Sequence, residues 1–187
     1  MGDWEKKRDI IRRYDATVSI YDLRYEQEQT AKYDAALRSL EKTNLKLVLD
    51  VGCGTGLLFD HIKNKAEATI GLDISKKTLL KARERAATLP NIHIICADAD
   101  FMPLKEHTFD HAFVMTLIQN SPNPAQTLNE INQVSKDDAV IVVTGLKRIF
   151  SKEAFEHLLC NAGLHIMVLN DEESLKCYVA ICSKIQH

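Results

Sequence analysis

The chain has 187 residues, 45% hydrophobic and 27% charged, and its 24 Lys and Arg against 26 Asp and Glu leave a formal charge of -2. That length suits a single domain over 1–187 with a core large enough to need no staples. The composition excludes disordered and fibrous classes, and the near-zero charge gives no global field to attract nucleic acid.

No apolar run approaches the roughly 18 residues of a membrane span, and residues 1–15 lack the apolar stretch of a signal peptide. Five cysteines, an odd count without any Cys-x-x-Cys, argue against a disulfide framework and against a zinc site. The expected location is the cytoplasm, with no bound metal.

The first 44 residues are charged and helix-prone. Tyr14, Val18, Tyr21 and Tyr25 recur at three and four, which predicts an amphipathic helix or helix pair acting as a cap on the rest of the chain. Lys6, Lys7 and Arg8 with Arg12 and Arg13 read as a solvated helix face. From residue 45 strands and helices alternate. Strands are predicted over 45–51, 68–74, 91–98, 109–117 and 139–146. Helices are predicted over 57–65, 75–89, 123–135 and 151–163. Ser75 and Ser151 are N-caps, Pro90 stops the second helix, and Pro124 sits in the first turn of the third. Two last strands, 164–170 and 175–184, are joined by a short turn and must form a hairpin. The fold class is α/β: a Rossmann-like, seven-stranded, mostly parallel sheet with an antiparallel C-terminal hairpin strand and an N-terminal helical cap.

The chemistry is carried by Leu49-Asp50-Val51-Gly52-Cys53-Gly54-Thr55-Gly56, placed between the first strand and the first core helix. Gly52, Gly54 and Gly56 allow a sharp turn and close approach of a ligand to the backbone, and Cys53 keeps the loop's side chain small. Ligands of open α/β sheets bind beyond the carboxyl ends of the strands, where this loop sits. The glycine spacing differs from the dinucleotide fingerprint, and no Gly-Lys-Ser/Thr comes after it, so this is not a phosphate-binding loop. Asp50, at its base, suits an amino group better than a pyrophosphate, or else is a structural acid met by loop N–H groups. Asp73 ends the second strand, where an acid bonds ribose hydroxyls. Asp98 ends the third, placed to accept from an adenine amine. Three acids at three neighbouring strand ends describe an adenosine with a cationic tail. Asp100 reads as a surface acid.

From 45 to 184 the sequence resembles the class I S-adenosylmethionine-dependent methyltransferases. LDVGCGTG is similar to the family's first motif, GLDIS (71–75) to its second-strand acidic motif, and ADADFMPLKEHTFDHAFVMTLIQN (97–120) to the stretch from the adenine-binding acid through strand four. The Tyr-Asp pairs at 14–15 and 21–22 resemble the cap of small-metabolite members of the ubiquinone/menaquinone type. The resemblance implies S-adenosylmethionine as cofactor and S-adenosylhomocysteine as product. It implies that Gly52, Gly54 and Gly56 pass the methionine moiety and that Asp50 orients the loop or the amino group. Asp73 would bind the ribose with Ile74 against adenine, and Asp98 would take the adenine amine with Ala99 donating its N–H. Thr116 and Leu117 would lie beside the sulfonium and methyl, and Tyr21 and Tyr25 are candidates for a lid over that cation.

Members that methylate amide or base nitrogen often carry Asn/Asp-Pro-Pro-Tyr after strand four, and here that stretch is Met115-Thr116-Leu117-Ile118. Where many small-metabolite members have a His, this chain has Gln119, which with Asn120 can orient an acceptor but cannot serve as a base. Lys147 and Arg148 lie on the same rim, placed for a substrate carboxylate or phosphate. The expected acceptor is a small molecule. A methyltransferase of RNA or protein working with a partner subunit, and a non-catalytic S-adenosylmethionine-binding protein, are the alternatives.

Overall fold

The computed structural model describes residues 2–40 and 43–185; the last turn of the expected cap and the extreme ends of the expected single domain lie outside these residues. The elements in order are α1 Asp3–Ser39, β1 Leu45–Val51, α2 Leu57–Ile62, β2 Ala66–Asp73, α3 Lys76–Ala86, β3 Ile92–Cys96, β4 Phe109–Val114, α4 Pro124–Val134, β5 Ser135–Leu146, α5 Lys152–Asn161, β6 Leu164–Asn170 and β7 Cys177–Lys184.

The seven strands form one sheet in the order β3-β2-β1-β4-β5-β7-β6. The first five run parallel, and β7 pairs antiparallel with both β5 and β6. The class inferred from the sequence is therefore the observed one. Alternate residues of each central strand enter two apolar layers. Leu49, Val51, Ala112, Val114, Ile141 and Val143 pack with Leu128, Ile131, Phe155 and Leu159 of α4 and α5. Val48, Phe113, Val142 and Ile181 pack with Leu58 and Ile62 of α2 and with Ala36 and Leu37 near the end of α1. Burial on both faces is why these strands are nearly all apolar.

Caps set the helix starts. The Ser75, Asn123 and Ser151 side chains each accept from a backbone N–H three residues on, Thr78, Gln126 and Ala154, all at 3.2 Å. Of the two forms expected for the cap, the structure has the single helix, continuous over 37 residues. Strand four ends at Val114 rather than 117, because Thr116 turns the chain at φ 61. Positive φ is rare for a β-branched residue and needs outside support.

The strand order reverses between β1 and β4. That reversal opens a crevice at the carboxyl ends of the strands, the position at which open α/β sheets take ligands. α1 crosses this crevice.

Candidate functional site

A cleft of about 900 Å³, open mouth included, occupies this crevice. Its floor is Gly52 and Gly54 after β1, Leu72 to Ile74 at the end of β2, Ala97 to Asp100 after β3, and Met115 to Leu117 after β4. Lys7, Ile10, Ile11, Tyr14 and Tyr21 of α1 close it from above. The Asp73 carboxylate accepts from the N–H of Gly54 at 2.9 Å and of Ser75 at 2.8 Å, which ties the glycine turn to the end of β2. Burial pushes its pKa up, against the pull of these donors. Gly54, at φ 56, has nothing within 4 Å of where a Cβ would stand, so its backbone faces open cleft.

Asp50 lies beneath the turn, 2% exposed, and its Oδ2 has no hydrogen-bond partner. No loop N–H meets that oxygen. Burial, with Asp73 nearby, pushes its pKa up to about 8. An orphaned acid at this depth calls for a counter-charge the protein does not itself supply.

α1 is pinned to the rim by polar contacts rather than by an unbroken apolar stripe. Lys7 lies 2.7 Å from both Asp98 oxygens and 2.5 Å from Asp100 Oδ2. Burial pulls its ammonium pKa down, but the two carboxylates outweigh this and raise it. Asp15 accepts from Ser75 Oγ and Asp22 from Thr55 Oγ1, both at 2.6 Å, and Arg85 reaches Asp22 at 2.7 Å. Arg13 donates to Asn120 Oδ1 at 2.9 Å, while the Asn120 amide donates to the Tyr14 hydroxyl at 3.0 Å and to the Thr116 carbonyl at 2.9 Å. Gln29 accepts from Thr116 Oγ1 and Lys32 donates to it, each at 3.2 Å.

Of the residues singled out from the sequence, Gly52, Gly54, Asp73, Ile74, Asp98, Ala99, Thr116, Leu117, Asn120 and Tyr21 line this one cleft. Five do not. Asp50 sits under the floor. Cys53 is buried in the packing beneath the turn, with Phe59 and Leu79, and burial raises its pKa well above an ordinary thiol's. Gly56 meets the Phe59 ring, 2.5 Å from where its Cβ would stand. Tyr25 packs its ring against Tyr21 in a tilted arrangement, 5.0 Å between ring centres, and supports it from outside the cleft. The Gln119 Oε1 is buried without a partner, while its neighbour Asn120 faces the cleft.

Two sequence expectations are corrected. Lys7 is not part of a solvated face, since its side chain is 11% exposed and bridges two acids. Asp100 is not a surface acid, being 4% exposed and bonded to Thr127 Oγ1 as well as to Lys7. Sequence reasoning also passes over Ile10 and Ile11 as cleft walls and Gln29 and Lys32 as partners of Thr116. The periodic stripe that runs Tyr14, Val18, Tyr21, Tyr25 extends back to Lys7 and Ile11 and is the available signal for the first group.

The residues present fit S-adenosylmethionine. The open backbone at Gly54 admits a chain in close contact. Asp73 and Asp98 stand at the ends of adjacent strands with apolar Ile74, Ala99 and Leu117 between them for a ring. The orphaned Asp50 Oδ2 suits an ammonium.

Strand order, crevice and acid placement define a class I methyltransferase domain. Residues 49–143, half of the chain, match the family described as methyltransferase domain, and the chain belongs to that family of S-adenosylmethionine-dependent enzymes. It is 31% identical over 144 residues to a malonyl-(acyl-carrier protein) O-methyltransferase from a Marinomonas species, covering 76% of this chain and 53% of the relative. It is 29% identical over 140 residues to the demethylmenaquinone methyltransferase of Shouchella clausii, covering 72% and 58%. The chain thus spans between half and three fifths of the length of these relatives. Among solved structures, the DhpI–SAH complex superposes with a TM-score of 0.79 at 18% identity over 95% of this chain and 96% of that one; at that identity the likeness speaks for the fold.

Proposed function

We propose that the chain transfers the methyl group of S-adenosylmethionine to a small-molecule acceptor held under α1, as one domain and in the cytoplasm. The observation that carries this is the roof. With α1 across the crevice, the cleft of about 900 Å³, open mouth included, has room for a cofactor and a modest acceptor. The acceptors in the relatives' names, malonyl-(acyl-carrier protein) and demethylmenaquinone, agree with a small reacting group. No helix among the described residues is long and apolar enough to cross a membrane.

Bound S-adenosylmethionine supplies an activated methyl group, so the protein's work is placement and exclusion of water, worth on the order of 7–11 kcal/mol. Asp73 receives the ribose hydroxyls, and Asp98, once Lys7 yields, receives the adenine amine with the Ala99 N–H beside it. Asp50 meets the amino group through the glycine turn. Ile10, Ile11, Leu72 and Met115 keep the cleft dry. Thr116, Tyr21 and Asn120 line the end at which strand four stops and orient the acceptor there. Burial pushes the Tyr21 phenol pKa far up, so it keeps its proton and does not act as a base.

The test is thermal unfolding with S-adenosylmethionine, S-adenosylhomocysteine and NAD, for the wild type and Asp73→Ala. At a hundredfold excess over Kd binding adds about 2.7 kcal/mol, a rise of roughly 5–10 °C for a domain of this size. The rise should come with the first two ligands only and vanish in Asp73→Ala. Labelled methyl should then enter the small-molecule fraction of an extract. Label in RNA or protein instead would overturn the acceptor class, and a rise with NAD alone would overturn the cofactor.

A further inference from the structure

Lys32 is the most deeply buried charge in the described residues, 1% exposed, on α1. A methionine would fill that space without the cost of burying an ammonium. The ammonium is also incompletely matched. Of its three donors, one goes to Glu28 Oε1 at 2.9 Å and one to Thr116 Oγ1 at 3.2 Å, and among the described residues no acceptor meets the third. Glu28 is shared, since its other oxygen takes Lys176 at 2.8 Å. Two cations therefore face one carboxylate.

Lys32 stands between two cavities. Thr116, its hydrogen-bond partner, lines the cofactor cleft. Lys32 itself lines a second cleft of about 520 Å³, open mouth included, formed by Gln27, Glu28, Ala31 and Lys32 of α1 against Ser174, Leu175 and Lys176 of the turn between β6 and β7. This second cleft carries a net positive charge and a hydroxyl. No group near Thr116 is suited to remove a proton. Gln29 and Asn120 are amides and Tyr21 is held neutral. Burial pushes the Glu28 carboxyl up, but Lys176 and Lys32 outweigh it and hold it below its ordinary range, which makes it a weak base. An acceptor used here must offer a lone pair without losing a proton first.

We propose that Lys32 anchors a carboxylate-bearing acceptor that enters through the cleft between α1 and the β6–β7 turn. This rests on the methyltransferase reading above and names its substrate class. The carboxylate pairs with the free donor of Lys32 and the hydroxyl of Ser174, and Thr116 sets its distance from the cofactor cleft. The methyl goes to a second atom of the acceptor, one that lies in the cofactor cleft and carries a free lone pair. That pair forms the new bond to CH3 as the methyl–sulfur bond breaks, the released electrons go to sulfur and cancel its charge, and no proton has to leave.

The experiment titrates octanoate, 1-octanol and octylammonium into the protein, with and without saturating S-adenosylhomocysteine, and tracks ligand-induced NMR shifts and thermal stability. Wild type, Lys32→Met and Lys32→Gln are compared; the amide of the last keeps a hydrogen bond to Thr116 without the charge. Octanoate alone should bind, and both variants should lose roughly tenfold or more in octanoate affinity, as for a lost charge-assisted hydrogen bond. Their S-adenosylhomocysteine response should persist. Equal binding of octanol, or full octanoate affinity in Lys32→Gln, would overturn the anchor and leave Lys32 as a support for Thr116. Because octanoate is also titrated into the ligand-free protein, a failure of S-adenosylhomocysteine to bind would count against the methyltransferase reading by itself.

Discussion

The Asp50→Asn substitution separates the cost of the glycine turn from its use. In the folded protein burial, helped by Asp73, holds the Asp50 carboxyl at about 8 instead of its ordinary 3.8. The folded state therefore keeps a proton that the unfolded chain gives up. Stability falls as pH rises from about 4 to about 8, the reverse of the usual salt-bridged aspartate. With each tenfold change in proton affinity worth about 1.4 kcal/mol, the penalty is on the order of 5 kcal/mol at pH 8, and about 3–4 kcal/mol of it develops between pH 5 and pH 8. Asparagine has the shape of the protonated acid and no proton to lose. In thermal unfolding of the ligand-free proteins, Asp50→Asn should gain on the wild type by roughly 7–15 °C between pH 5 and pH 8. Binding should reverse the ranking. An ammonium held across the glycine turn from Asp50 stabilises the charged form, so the wild type should release most of one proton on binding S-adenosylhomocysteine at pH 7, seen as a dependence of calorimetric heat on the buffer's ionisation enthalpy. Asp50→Asn should release none and bind more weakly. Parallel stability profiles for the two proteins would refute the reasoning, because they would mean that Asp50 is already ionised in the free protein.

Three further outcomes are expected. Lys7→Met leaves the Asp98 and Asp100 carboxylates facing each other, so the ligand-free melting temperature should fall by about 4–8 °C, a loss of about 2 kcal/mol, while the S-adenosylhomocysteine-induced rise grows because no ammonium has to be displaced from Asp98; a smaller rise would show that Lys7 assists binding. Gly54→Ala and Gly56→Ala should divide binding from stability: both lose about 1–2 kcal/mol to a left-handed residue, but only Gly56→Ala also drives a Cβ into the Phe59 ring, a further 1–3 kcal/mol or so read by denaturant unfolding, and only Gly54→Ala obstructs the cleft, read by calorimetry. His111 is buried on β4 with neither ring nitrogen bonded, and burial, against the pull of Asp110, lowers its pKa. The unfolded chain takes up the proton first, so this residue costs stability as pH falls below about 6.5. His111→Leu should raise the melting temperature and flatten that acid-side loss in a pH series.

The parts of the site that read plainly from the sequence are local ones. The turn from Asp50 to Gly56 is a strand end with closely spaced glycines after it, and its demands on the backbone fall on neighbouring residues. Asp73 and Asp98 come from strand ends, which apolar β-rich runs mark well. Thr116 reads from the sequence as a site residue within a strand, because Met115 to Ile118 is an apolar run like any extended one. Its left-handed turn exists only because Thr144 Oγ1, Asn120, Gln29 and Lys32 hold its N–H, carbonyl and hydroxyl. Three of those partners are distant in sequence, and no local pattern encodes them. Lys7 and Asp100 escape a sequence reading for the same reason. A lysine in a basic run and an acid after a strand each have an ordinary solvated explanation, and their pairing joins residues more than 90 positions apart.

The pins of α1 explain why its polar residues matter more than its stripe. Over the last turns of the helix, Tyr33, Ala36, Leu37 and Leu40 bury themselves against α2 and the sheet and hold it without reference to any ligand. Further toward its start the docking is polar, and the partners are residues of the rim itself. Lys7 takes Asp98, Asp15 takes Ser75, Asp22 takes Thr55, and Arg13 takes Asn120. Of these rim residues, Asp98, Thr55 and Asn120 line the cofactor cleft. A ligand entering there competes with the roof for the same donors and acceptors, and each bond the roof surrenders is replaced by one to the ligand. An apolar roof would have to expose buried area at about 25 cal/mol per Å² to open. A polar one opens at the cost of bonds that water or ligand restores, so the apolar end can stay fixed while the polar end yields.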